Sequence, residues 1–226
     1  MNLTLFDLDG TLLPIDSDHA FGEFLVEQGW VDAATFKARN DAFYADYLAE
    51  RLDMHAYVDF ATSGWRTRPA AERRAIRERF MREVIIPRLD ARARALVDSH
   101  RERGDTVALV TATNEFVTRP IADAFGIDHL VATELETDAD GNHTGAIRGV
   151  PCYREGKVTR VDAWLASRGT RIDDYTRVTA YSDSINDLAL LERASEPVAT
   201  NPGEKLRDVA QARGWRVVEL FGTQGS

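Results

Sequence analysis

Apolar residues dominate six short stretches: LTLFDL (3–8), TVALVTA (106–112), HLVATEL (129–135), VTAYSD (178–183), PVAT (197–200) and RVVEL (216–220). Runs of this length with little alternation are how strands covered on both faces read. Between them, apolar positions recur at helical spacing. Segment 88–103 stops at Gly104, 115–125 at Gly126, 157–167 just before Gly169 and 204–213 at Gly214. Glycine just past the last periodic residue is a helix stop. Ser184 reads as the N-cap of a helix over 184–194. Strands alternating with helices predict an α/β fold with a doubly wound, Rossmann-like parallel sheet.

The alternation breaks once. Residues 15–87 carry no convincing strand and read as three or four helices, bracketed by Pro14 and Pro87. This predicts an all-helical domain inserted after the first strand, with a core made of residues 1–14 and 88–226. Within the insertion, Phe21, Phe24 and Leu25, then Phe43, Tyr44, Tyr47 and Leu48, fall at helical spacing and predict a packed helical core. A second irregularity is 136–153, where Asp140-Gly141-Asn142 is turn chemistry between β-compatible flanks and predicts a hairpin. The last residues, GTQGS, predict a frayed tail.

Composition narrows the function classes. The 226 residues are 44% hydrophobic and 29% charged, with a formal net charge of −9. That balance argues against broad attraction to nucleic acid or anionic membrane. The one basic stretch, Arg66 to Arg82, is interleaved with Glu72 and Glu78 and reads as a solvated helix face. No apolar run approaches the roughly 20 residues needed to span a bilayer. A single cysteine, Cys152, allows no internal disulfide and is expected to be structural. A cytoplasmic protein is the expectation.

FDLDGTLL (6–13) ends an apolar strand in two carboxylates. Charge is costly to bury unless paired or bound to a cation. Residues two apart on a strand share a face, so Asp7 and Asp9 are expected to converge at the C-terminal sheet edge, where open α/β sheets bind ligands. Two close carboxylates require a cation or a shared proton, and hard oxygen donors suit Mg²⁺. Thr11 offers a hydroxyl and an amide to an anion. YSDSINDLALL (181–191) repeats the acidity with Asp183 and Asp187, flanked by Ser184 and Asn186. Lys157 stands at a helix start, where a cation is unfavourable unless it serves an anion. Thr111 supplies a hydroxyl at a strand end. Among the histidines, His19 is the one to follow, because it lies close after FDLDGTLL.

In this order, DLDGT, a strand ending in Thr111, Lys157 and SDSIND resemble the four motifs of the haloacid dehalogenase superfamily of phosphohydrolases. The helical insertion resembles its type-I cap, and the hairpin and S-D-S-x-N-D form resemble its phosphoserine-phosphatase branch, subfamily IB. The resemblance implies an Mg²⁺-dependent phosphatase acting on a small phosphomonoester through an aspartyl-phosphate. Asp7 would be the nucleophile and Asp9 the general acid and base. Mg²⁺ would sit on the Asp7 side chain, the Asp9 carbonyl and Asp183. Thr111, with Ala112 beside it, and Lys157 would hold the phosphoryl oxygens. Asp187 would orient Lys157 or the metal's waters, and Asn186 would meet phosphate or water.

Two departures point away from phosphoserine itself. Gly10 stands where that branch usually has Ser or Thr, and Thr111-Ala112-Thr113 stands where it usually reads Ser-Gly-Gly. An acid early in the cap meets the substrate's amine in that branch. Asp16 is the nearest match, with Asp18 and Glu23 as alternatives. This favours an amine- or imidazole-bearing ester such as histidinol phosphate. The alternatives are a phosphomutase of the same fold and a receiver-type phospho-aspartate switch, against which Asp9 and the insertion both argue.

Overall fold

The computed structural model of the protein describes residues 1–221; the predicted frayed tail lies outside them. Six strands form one parallel sheet in the order β3-β2-β1-β6-β7-β8. They are β1 (Asn2–Phe6), β2 (Thr106–Asn114), β3 (His129–Thr133), β6 (Arg177–Ser182), β7 (Glu196–Thr200) and β8 (Arg216–Val218). β1 lies centrally. Phe6 pairs with Leu109 on β2 and with Tyr181 on β6. Strand order therefore reverses beside β1, and the crevice at such a switch point is where open α/β sheets take ligands. Leu3 and Leu5 pack on one face of the sheet, and Phe6 packs on the other. This two-sided burial explains the nearly continuous apolar runs.

β1 stops earlier than the apolar run suggests. The Leu8 carbonyl accepts from the amides of Thr11, Leu12 and Leu13 at 3.1, 2.9 and 3.0 Å. The chain turns helically there, so Asp9 lies beyond the strand. β2 instead extends two residues past the predicted end, with its register against β3 shifted between Val110 and Asn114.

Four helices follow β1: α1 (Ser17–Glu27), α2 (Ala33–Leu48), α3 (Met54–Ser63) and α4 (Ala70–Phe80). Asp16, Asp32 and Asp53 cap the first three by accepting backbone amides. Residues 81–88 pass through a π-helical turn and a 3-10 turn before α5 (Ala91–Glu102). α5 starts three residues later than predicted, because Asp90 rather than the Pro87 region supplies the cap. The remaining helices are α6 (Glu115–Ala124), α7 (Glu155–Ser167), α8 (Leu188–Arg193) and α9 (Glu204–Arg213). The predicted 184–194 helix opens as a 3-10 turn, Ile185–Asp187, capped by Ser184. The hairpin is β4 (Leu135–Thr137) and β5 (His143–Ile147), an antiparallel pair whose turn has Gly141 at φ +79°. It leans on the helical insertion through His143, which meets the Trp65 ring edge-on at 5.2 Å.

The aromatic spacing divides in two. Phe21, Phe24 and Leu25 are buried in the core as predicted. Phe43, Tyr44 and Tyr47 are only half-buried, and Leu48 is exposed. Helical period shows which residues share a face, not whether that face meets packing or a cavity. In the basic stretch, Arg68, Arg74 and Arg79 are exposed as expected. Arg73 is buried and donates to the Arg66 carbonyl, while Arg77 lies over the Phe116 ring at 4.9 Å.

Behind β1, a buried polar chain joins α5 to the sheet. His100 Nδ1 lies 2.8 Å from Asp105 Oδ2 and 2.9 Å from Thr4 Oγ1, and its Nε2 lies 2.8 Å from Tyr181 Oη. The carboxylate only accepts, so Nδ1 carries the proton and Nε2 accepts from the tyrosine. Burial lowers the His100 pKa below its ordinary value, the Asp105 hydrogen bond notwithstanding. The folded chain thus favours neutral His100. Its contribution to stability is whole above the ordinary imidazole value of about 6.5 and is lost as pH falls from there through the lower folded value. Asp105 acts in the same direction, since hydrogen bonds from His100 and Asn2 outweigh burial and hold it low. Urea unfolding of wild type and His100→Gln should show a stability gap that is widest above neutrality and narrows on acidification. A gap independent of pH would refute this account.

Candidate active site

The loop after β1 is pinned from both flanks. The Asp7 amide donates to the Tyr181 carbonyl at 2.9 Å, continuing the β1–β6 ladder one residue. Asn201, at the end of β7 and at φ +47°, donates its side-chain amide to the carbonyls of Gly10 and Thr11 at 2.8 and 3.3 Å. Gly10 sits at φ +75°, and a Cβ there would lie 2.3 Å from Asp183 Oδ2. Glycine is therefore demanded twice, by backbone and by space.

Asp7 and Asp9 line one cavity but belong to different hydrogen-bond sets. Asp7 Oδ1 accepts from Lys157 Nζ at 2.8 Å, and the same ammonium reaches Asp187 Oδ2 at 2.7 Å. All three side chains are buried. Asp187 also accepts from Ser182 Oγ at 2.8 Å. Asp9 Oδ1 accepts from the Ser17 amide at 2.7 Å, and Oδ2 accepts from Thr113 Oγ1 at 2.9 Å. Nothing in the local sequence marks Ser17 or Thr113 as partners of Asp9. Thr111-Ala112-Thr113 could have flagged a second hydroxyl two residues on, on the same strand face.

Charge is unevenly balanced here. Burial would lower the Lys157 pKa, but Asp187 and Asp7 overcome it and raise it. Burial pushes Asp187 up to about 6, with Lys157 pulling against it. Asp183 is raised well above the carboxylate range by burial and then by the charges of Asp7 and Asp187. Burial and then Asp16 raise Asp9 likewise. Among the described residues no Lys or Arg pairs with Asp183 or Asp9. Thr11 Oγ1 lies 3.0 Å from Asp183 Oδ1 and 3.4 Å from Asp7 Oδ2, so the two carboxylates flank one hydroxyl. Hard oxygen donors with a deficit of positive charge fit a divalent cation such as Mg²⁺.

Several expected phosphate contacts are placed otherwise. Thr11 spends its amide on Leu8 and its hydroxyl beside the carboxylates, so it braces the loop instead of offering donors to an anion. Asn186 sits in the 3-10 turn with both side-chain polar atoms engaged. Its Oδ1 accepts from Tyr153 Oη at 3.3 Å, and its Nδ2 donates to the Tyr47 carbonyl of α2 at 3.4 Å. Nearby, Arg154 at φ +52° donates to the carbonyl of Glu50, itself at φ +60°, and Lys205 pairs with the Glu50 carboxylate. These contacts tie the C-terminal end of α2 to the sheet-side loops. Thr111 and Ala112 do line the cavity; Thr111 Oγ1 accepts from the Thr113 amide at 3.2 Å.

The cavity encloses about 40 Å³. Its floor is Asp7, Asp9 and residues 111–113, and its roof is drawn from α1, α2 and α3. Asp16 caps α1 at its edge, accepting from the amides of Asp18 and His19 at 3.0 and 2.8 Å. Asp18 is buried, accepts from Asn114 Nδ2 at 3.3 Å and is hydrogen-bonded by Tyr57. Burial, then the Asp16 charge, push its pKa up to about 7. Glu23, the third candidate acid, does not line this cavity and pairs with Lys37 at 3.1 Å. Phe43, Tyr44, Tyr47 and Tyr57 give the roof an aromatic wall. His19 lies in that wall too.

Comparison with known proteins places the chain in a family. A family model described as haloacid dehalogenase-like hydrolase matches residues 4–192. A histidinol-phosphatase of Neisseria meningitidis serogroup C is 43% identical, over 97% of this chain and 99% of that protein. A crystal structure of a Bordetella pertussis protein of unknown function superposes with TM-score 0.92 at 47% identity, covering 97% of this chain and 99% of that one. A substrate-bound phosphoserine phosphatase superposes with TM-score 0.67 at 17% identity, covering 96% of this chain and 91% of that one, which establishes the shared fold.

Proposed function

The chain belongs to the haloacid dehalogenase-like hydrolases, and from that premise we propose that it is a phosphatase of a small phosphomonoester with a cationic organic end, histidinol phosphate being the best fit. One observation carries the reading: two aspartates two residues apart face one cavity with separate partners, Asp7 on Lys157 and Asp9 on Ser17 and Thr113. Two carboxyls set in unlike environments can take unlike roles.

The Asp7 carboxylate attacks phosphorus, forming an O–P bond as the bond to the leaving alkoxide breaks. Asp9 gives that alkoxide a proton. Asp9 then takes a proton from water, which attacks the aspartyl-phosphate and frees inorganic phosphate and Asp7. Lys157 offsets the negative charge of an incoming phosphate beside Asp7. Thr111 can turn its hydroxyl hydrogen toward a phosphoryl oxygen. The Asp7 and Asp183 side chains and the Asp9 carbonyl would hold Mg²⁺. The ion supplies charge neutralisation of the phosphoryl group when bound. Residues 15–87 serve as the cap over a core made of 1–14 and 88–226, excluding water until the hydrolytic step.

The substrate's organic end meets the roof. Asp16 and Asp18 are acids there with no Lys or Arg partner among the described residues, beside four aromatic rings. Carboxylates and ring faces both attract an ammonium or imidazolium. The similarity to the Neisseria histidinol-phosphatase supports the same choice. Phosphate release should favour histidinol phosphate over phosphoserine, with sugar phosphates poorest. A preference for sugar phosphates over both amino compounds would defeat the substrate assignment.

Metal removal gives an independent test. EDTA should silence turnover reversibly, and Mg²⁺ should raise the melting temperature of the metal-free protein, because the ligand binds only the folded cluster. A melting temperature that does not respond to Mg²⁺ would speak against a site at Asp7 and Asp183.

A further inference from the structure

A second depression adjoins the catalytic cavity. It is an open groove of about 540 Å³ running over α1 and the turn at 83–88. The two hollows share three residues, Asp16, His19 and Tyr44. Asp16 is fixed as the α1 cap by two backbone amides. The other two are held by side-chain contacts alone. The His19 and Tyr44 rings lie 4.8 Å apart, one from α1 and one from α2. Both are half-buried. His19 Nε2 lies 2.9 Å from Asp41 Oδ1, and Asp41 is exposed.

We propose that the His19–Tyr44 ring pair is a movable partition that sets how long an organic end the site accepts, with Asp41 holding it in place. The inference rests on the phosphatase reading and assigns a specificity role within the same site. The inner cavity is far tighter than the groove, about 40 Å³ against about 540 Å³, so a long organic end must displace part of its wall. Across Asp16 the wall is fixed by backbone; across the two rings only rotamers must change. Behind them the groove continues, with Glu23, Glu27 and Glu83 along it against Arg88. Glu23 pairs with Lys37 and Glu83 with Arg79 and Arg82, so Glu27 is the one of these acids without a Lys or Arg partner among the described residues, and it is the group there that a cationic terminus can meet.

Length dependence tests this. Aminoethylphosphonate and aminohexylphosphonate, which cannot be hydrolysed, are measured as competitive inhibitors of p-nitrophenyl phosphate turnover by the Mg²⁺-loaded protein. Wild type should favour the short inhibitor. Tyr44→Ala and His19→Ala should each shift the Ki ratio toward the long one by about tenfold, the scale on which a pocket discriminates chain length. Asp41→Ala, at an exposed position that threatens the fold least, should shift it the same way by less. Tyr44→Phe keeps the ring and should keep the wild-type ratio. If the ratio moves less than about threefold in every folded alanine variant, on the same scale of pocket discrimination, the partition is wrong. If neither phosphonate inhibits any form, it is equally wrong. Absence of p-nitrophenyl phosphate turnover in wild type would instead bring down the phosphatase reading, and the partition with it.

Discussion

Asp7→Asn is expected to lower phosphatase turnover by ~10⁴-fold or more, the scale seen when a covalent nucleophile is removed, while the protein stays folded. The amide cannot displace an alkoxide from phosphorus. It still fills the space and still accepts from Lys157 Nζ, now 2.8 Å from Oδ1. Stability should hold or rise, because Asp7 is one of the charges that push Asp183 and Asp187 upward. The checks are phosphate release and a thermal melt without metal. The Mg²⁺-dependent rise in melting temperature should shrink, since one donor loses its charge. Asp9→Asn makes the contrast. p-Nitrophenolate leaves without a proton, so this variant should release one burst of p-nitrophenol and then stall at the phosphoenzyme. Near wild-type turnover in Asp7→Asn would sink the covalent route.

Lys157→Met should damage both activity and stability. Lys157 is the one cation that pairs with Asp7 and Asp187 among the described residues. Removing one partner from a buried charge cluster costs about 3–5 kcal/mol, because the remaining carboxylates are left unbalanced. Loss of a donor beside the reacting phosphoryl group costs a further ~10²–10³-fold in turnover. Mg²⁺ should stabilise this variant by more than it stabilises wild type, since more negative charge awaits a counter-ion. Circular dichroism melts with and without Mg²⁺ decide. A melting temperature equal to wild type would show that Lys157 does not balance the cluster.

Much of the sheet was readable from sequence because burial on both faces suppresses alternation, and helix ends were marked by glycines. Boundaries failed where a local turn outcompeted the run, as when Leu8 gave its carbonyl to three amides instead of to the ladder. The positions of Asp7, Lys157, Asp183 and Asp187 at element ends were legible, since carboxylates and an ammonium in apolar surroundings are energetically conspicuous. Their neighbours were not. Asn201 reaches the Gly10–Thr11 turn across 191 residues, and nothing in its local sequence announces that. Thr11 looked like an anion donor because its amide and hydroxyl are chemically able to be one; only the fold shows both already engaged. Tyr44 and Tyr47 looked like core because periodicity is blind to what lies opposite a helix face.

Cys152 lends the protein an experimental convenience. It is the single cysteine, wholly buried, with its thiol directed to the Val131 carbonyl and its amide bonded to Thr133 Oγ1. Burial pushes its pKa up to about 12, so the native thiol is withheld from maleimides and disulfide reagents, which require thiolate and access. Alkylation of the unmodified chain therefore clocks global opening. A cysteine added on the outer face of α2 would be the lone reactive handle for a dye that follows the roof as substrates enter and leave.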